Sequence, residues 1–238
     1  KGKTFILTTD NDSVIGTNLS DTIAAATGTL NNGDIIVDDL ANKDNDTLNA
    51  SINSRLNATI SGIENINLNL DVLSGESASV DASKITGAHI TVSSQRLGFD
   101  GVAIVDSAGE NDVTAGAKIT DLRVYDLTGV VNAGASTSLT VSAAEDGEAN
   151  VRINGDISLT SFAATTNLTT TADAKVQLGI NAGDVLAVAG NGTVVLRGQA
   201  PTSLNGVTIK NNLTNGDLVA EIQALGVNNP YDASLWDV

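Results

Sequence analysis

The chain has 238 residues, enough to bury a substantial core, and an all-β domain of this length is often one continuous unit. Its 28 acidic against 12 basic residues give a net charge of −16, which repels phosphate backbones and argues against nucleic-acid binding. The absence of cysteine excludes disulfides, thiolate metal sites and cysteine nucleophiles, and no apolar run reaches the roughly 18 residues that span a bilayer. The 41% hydrophobic content is almost wholly Ala, Val, Ile and Leu, with 3% aromatics, which suits thin stacked layers better than a thick interior. Self-repulsion at this charge destabilises a compact state unless cations screen or bind it. Lys1-Gly2-Lys3 precedes no signal-peptide core, and a first residue other than Met predicts a fragment of a larger protein.

The first predicted strand is the alternating run Thr4-Phe5-Ile6-Leu7-Thr8-Thr9, which leads into Asp10-Asn11-Asp12-Ser13-Val14-Ile15-Gly16-Thr17. More acid follows at Asp21, Asn32-Gly33-Asp34 and Asp38-Asp39, then in Lys43-Asp44-Asn45-Asp46-Thr47-Leu48-Asn49. The segment closes on Ala58-Thr59-Ile60-Ser61-Gly62-Ile63-Glu64-Asn65-Ile66-Asn67-Leu68. Beyond it, short runs of Val, Ile, Leu and Thr predict strands at 59–70, 88–93, 102–105, 122–125, 138–141, 150–153, 157–160, 167–170, 175–178, 185–188, 193–196 and 206–209. Shorter runs surround Val80, Ile85, Val113 and Ile119. The centres Leu139, Leu159, Leu178 and Val195 step by about 20 residues, the spacing of one solenoid coil.

Helical spacing occurs only over 217–225, Asp-Leu-Val-Ala-Glu-Ile-Gln-Ala-Leu, with Gly226 as a C-terminal cap and Asn215 or Asp217 at the start. The last segment carries the only Trp, Trp236, and reads either as a cap over an open solenoid end or as a docking segment. The fold expected is all-β: a right-handed parallel β-helix or β-solenoid with short strands and one C-terminal helix. The alternative is a β-sandwich, for which hairpin signals such as Asn-Gly between adjacent strands are scarce. The expected organisation is an acidic segment over 1–70, coils over 71–215 and a helical cap over 216–238, together one elongated domain.

Calcium takes about six to eight oxygen ligands in flexible geometry, and Asp and Asn at alternate positions around turns supply them. Asp10-Asn11-Asp12 and Asp44-Asn45-Asp46 show that alternation, with Asp21, Asp34, Asp38 and Asp39 close enough in sequence to complete shells. The same residues are also good turn formers without any metal. His89, the single histidine, has no nucleophile or metal partner nominated near it, so a structural role is expected. Paired carboxylates on a β-helix are also the arrangement of a glycan-cleaving enzyme, but such a groove would carry aromatics and bases that are scarce here. No enzymatic activity is expected.

The phrases Asp12-Ser13-Val14-Ile15-Gly16-Thr17, Ser20-Asp21-Thr22-Ile23, Gly33-Asp34-Ile35-Ile36-Val37-Asp38, Asn45-Asp46-Thr47-Leu48-Asn49 and Ile60-Ser61-Gly62-Ile63-Glu64-Asn65-Ile66, in that order after the first strand, resemble a recurring module of Gram-negative surface-layer (S-layer) proteins. The resemblance is to proteins of the Caulobacter and Campylobacter type, exported by type I machinery, and covers residues 4–68; the remainder matches in general texture. It implies a calcium-stabilised β-solenoid that tiles the cell surface, with Asp10, Asp12, Asp21, Asp34, Asp38, Asp44 and Asp46 as cation ligands. The tandem Gly-Gly-X-Gly-X-Asp nonapeptide of secreted toxins and proteases is absent, which argues against stacked rows of tight calcium sites.

The function expected is therefore a structural component of a bacterial surface layer, self-assembling with calcium in an extracellular position. Its partners would be copies of itself and, through regions outside this fragment, lipopolysaccharide; no membrane insertion is expected. The alternative is an adhesin or glycan-binding module of a type I-secreted surface protein.

Overall fold

The computed structural model describes residues 1–38, 44–73, 76–96, 101–135, 137–144, 147–198, 204, 206–221 and 234–238. The chain forms two compact units, Lys1–Gly129 and Val130–Val238. Each is a β-solenoid: a strand pairs with its counterpart in the next coil and not with its neighbour in the chain.

In the first unit one face is built from Thr4–Ile6, Thr22–Ala25, Thr47–Ile52, Asn65–Leu70, His89–Ser93 and Asp112–Ala115, paired in that order and all parallel. A second face stacks Ser13–Ile15, Ile35–Val37, Thr59–Ser61 and Ile85–Thr86. A third stacks Ala78–Asp81, Ala103–Asp106 and Asp121–Leu127. The second unit has one face from Val130–Ala133, Glu148–Ile153, Thr165–Thr170, Val185–Asn191 and Thr208–Asn215. Its other face stacks Ser138–Ala143, Ile157–Ser161, Ala174–Gly179, Val194–Gly198 and Leu218–Glu221. Parallel pairing throughout rules out the hairpin-linked sandwich.

Alternation in each strand sends one set of side chains inward, and the parallel register stacks like on like. Ile23, Leu48, Ile66, Ile90 and Val113 form one buried column, and Val131, Val151, Leu168 and Val188 form another in the second unit. Full burial of each such side chain contributes roughly 1.5–3 kcal/mol. Thr166 enters this interior without an orphaned hydroxyl, because its Oγ1 donates to the buried Ser161 Oγ at 2.7 Å. Outside, asparagines stack across coils, as in Asn67 Nδ2 to Asn49 Oδ1 at 3.0 Å and Asn215 Nδ2 to Asn191 Oδ1 at 3.0 Å.

Coil length varies, from 17 residues between Asn150 and Asn167 to 25 between Asp21 and Asp46, so extra residues are absorbed at corners while the faces stay in register. Leu139, Leu159 and Leu178 do share one ladder. Val195 does not: it pairs with Lys175 and points outward, while Leu196 continues the buried ladder of Val176. A one-residue shift reverses the side a strand residue faces, and composition alone does not distinguish two adjacent apolar positions.

The helix expected over 217–225 is corrected by the strand Leu218–Glu221, which pairs parallel with Val194–Arg197; residues 222–226 lie outside the described residues. A helix shorter than about 12 residues is marginal in water. The open edge of Val194–Gly198 offers backbone partners instead, with Arg197 Nε donating to Glu221 Oε2 at 2.6 Å. Among the described residues the sole helical turn is Ala82–Lys84, and no helix is long and apolar enough to cross a membrane. Trp236 lies on its own unit: it bridges to Ile209, and its Nε1 donates to the Val207 carbonyl at 3.1 Å.

Candidate cation site

Where each coil of the first unit turns into its first face, the register stacks Asp21, Asp46 and Glu64, the residues just before Thr22, Thr47 and Asn65. A backbone amide at such a corner needs an acceptor, and a carboxylate of the next coil supplies it. Lys3 N donates to Asp21 Oδ1, Asp21 N to Asp46 Oδ1 at 2.6 Å, and Asp46 N to Glu64 Oε2 at 2.7 Å. In the following coils the carboxylate gives way to an amide: Ala88 N donates to Asn111 Oδ1 at 2.9 Å. The buried Asn111 spends its Nδ2 on the carbonyls of Ile85 and Ala108, at 2.9 and 2.8 Å, so no charge is buried there.

Asp38 and Asp44 converge on the carboxylate part of this ladder. One oxygen each from Asp21, Asp38 and Asp46 lies within 4.8 Å of the others, and the same holds for Asp44, Asp46 and Glu64. Asp46 is common to both sets and is fully buried. Its Oδ1 is engaged by the Asp21 amide, but its Oδ2 faces no donor, and neither does the buried Oδ2 of Asp44. Glycines make the convergence possible. A Cβ on Gly16 would stand 2.5 Å from Asp38 Oδ2, and Gly62, at a φ of 75°, passes so close to Asp38 that a Cβ would meet its carbonyl oxygen at 2.4 Å.

The electrostatics divide the group. Burial and then the adjoining Asp38 carboxyl push Asp46 up to about 7. Asp44 is raised by burial and by the charges of Asp38, Glu64 and Asp21. Burial also pushes Asp21 upward, but amides of Lys3 and Thr17, with the Thr17 hydroxyl, outweigh it and hold its carboxyl below the ordinary value. Such an assembly reaches low energy by taking a proton on Asp46 or by taking a cation. The donors are all carboxylate oxygens, which suit a hard divalent ion, and calcium–oxygen bonds of about 2.3–2.6 Å place ligands on one ion up to about 5 Å apart. The oxygens of each set, all within 4.8 Å of one another, meet that requirement.

The residues expected as ligands thus separate into three groups. Asp21, Asp38, Asp44 and Asp46 come together. Asp12 and Asp34 sit at another corner, where their oxygens are taken up: Asp34 accepts from the amides of Asp12 and Asn31, each at 2.8 Å, and Asp12 accepts from Thr8 N at 2.7 Å. Asp10 is exposed and joins neither group. Asp39 lies outside the described residues. Glu64, which the sequence did not single out, joins this corner, and Asp21-Thr22-Ile23, Asp46-Thr47-Leu48 and Glu64-Asn65-Ile66 share one pattern of acid, polar residue and buried aliphatic. In the second unit Asp156 and Asp173 cap the amides of Lys175 and Thr193, both at 2.7 Å. Among the described residues no further trio of acidic side chains converges. His89 Nε2 contacts Thr114 Oγ1 of the next coil at 2.9 Å, on the outward side of the first face.

Comparison with known family models, curated proteins and solved structures finds no match for this chain.

Proposed function

We propose that this chain is a structural β-solenoid that takes up calcium between coils of its first unit and serves in a self-assembling bacterial surface layer outside the cell. The observation that carries the reading is the fully buried Asp46, whose free Oδ2 points into a convergence of carboxylates from successive coils. A cation held there ties coils to one another, so calcium would act on folding of the unit as a whole. The surface-layer assignment is further supported by the order of acidic phrases over residues 4–68 and by the net charge of −16, which cations must offset wherever copies pack together. The partners under this reading are copies of the same chain, with lipopolysaccharide contacted through other regions.

A second reading has one observation in its favour. Thr27, Asn49, Ser51, Asn67, Asn69 and Gln95 stand among alanines lining an open trough on the first face, and their polar groups are able to hydrogen-bond sugar hydroxyls in a glycan-binding module or adhesin. Thermal unfolding by circular dichroism, with calcium and with chelator, alongside light scattering, tests the first reading. Native-only binding adds about 2.7 kcal/mol at a hundredfold excess over Kd, so a raised midpoint with growth in particle size is expected. An unchanged midpoint and a steady monomer would overturn it, and a saturable hit in a glycan screen would then favour the second.

A further inference from the structure

We infer that the corner holds two divalent cations, with Asp46 bridging them, and this rests on the calcium reading above. The geometry offers two sets of ligands, not one. Asp21, Asp38 and Asp46 form the first, Asp44, Asp46 and Glu64 the second, each within the span one ion bridges, and Asp46 alone belongs to both. Asp46 has the position a bridge requires. It is fully buried, it is the middle rung of the ladder between Asp21 and Glu64, and one of its oxygens is left open by the hydrogen bonds of the ladder.

Charge points the same way. Five carboxylates meet at this corner; one divalent ion would leave three formal negative charges uncompensated and two ions would leave one. Uncompensated charge in a poorly solvated site is expensive, so the first ion leaves the second set still short of a counter-charge. The buried Oδ2 of Asp44, which faces no donor, marks that second set as incomplete without an ion of its own. Calcium's preference for about six to eight oxygens leaves room for backbone carbonyls and water to complete both shells. Glu64, absent from every Asp-Asn turn pattern, acquires a function here as a ligand of the second ion.

The test is the number of calcium ions retained per chain by native mass spectrometry and calorimetry, compared with variants whose fold is checked by circular dichroism. Asp46→Asn is expected to lower the count by two, and Asp38→Asn and Asp44→Asn by one each. Manganese gives a readout independent of any variant: at saturation two carboxylate-bridged ions broaden each other's paramagnetic resonance, whereas one ion keeps its sharp hyperfine pattern. Loss of a single ion in all three variants, with a sharp manganese signal at saturation, would overturn the bridged pair and leave the calcium reading standing. No loss in any variant would overturn both.

Discussion

On the calcium reading, replacing Asp46 by Asn separates the cost of the buried carboxylate from the benefit of bound calcium, because the two have opposite signs. The Asn oxygen can still accept the Asp21 amide that Asp46 Oδ1 accepts at 2.6 Å, and the side chain is a neutral mimic of the protonated acid. In the folded chain the Asp46 carboxyl is raised from 3.8 to about 7. A raised acid favours folding in its protonated form, so this stabilisation is in place below the unfolded value of 3.8 and is lost as pH climbs through about 7. At about 1.36 kcal/mol per pH unit the loss approaches roughly 4 kcal/mol, a ceiling that relaxation around the group lowers. In chelator at about pH 8, Asp46→Asn is therefore expected to be about 2–4 kcal/mol more stable than the parent chain, and close to it at about pH 4. With calcium the order is expected to reverse, since on the calcium reading the parent gains the energy of cation binding at this corner and the variant does not. Urea unfolding followed by circular dichroism at both pH values, with calcium and with chelator, measures all of these differences. A variant less stable than the parent in chelator at about pH 8, or one that gains as much from calcium, would refute the reasoning.

Gly16→Ala places a methyl 2.5 Å from Asp38 Oδ2 and should weaken calcium binding by about tenfold or more, read by calorimetric titration, while leaving the cation-free circular dichroism spectrum intact. Asn111→Ala strands the Ala88 amide and the hydrogen bonds to Ile85 and Ala108, and should cost about 2–4 kcal/mol in urea unfolding with or without calcium. Leu48→Ala opens a hole in a fully buried column and should cost about 2–5 kcal/mol. Arg96→Ala breaks a 2.7 Å ion pair with Asp71 whose side chains are 43% and 34% exposed, and should change stability by less than about 1 kcal/mol in the same assay.

Three of the acidic residues expected as ligands, Asp10, Asp12 and Asp34, lie apart from the carboxylate corner, and Glu64, which was not expected there, joins it. Asp10, Asp12 and Asp34 look like ligands because they are acidic and sit at turns beside Asn, yet amide and hydroxyl donors occupy the oxygens of Asp12 and Asp34, and Asp10 faces solvent. Glu64 looks like an ordinary strand-start residue, yet it stands directly above Asp46. What distinguishes the two cases is which coil lies next to which, and coil lengths between 17 and 25 residues conceal that stacking from any fixed period.

The all-β solenoid follows from the chain alone, because alternation over short runs, small residues at corners and an interior of Ala, Val, Ile and Leu are local properties that each coil repeats. Local preference also predicted a helix at 217–225, and over Leu218–Glu221 the open edge of Val194–Gly198 prevailed over it. The tertiary structure alone decided that Asp21, Asp38, Asp44, Asp46 and Glu64 meet at one corner. Their separation along the chain is bridged by parallel register, and a register is a relation between coils that no single stretch of sequence contains.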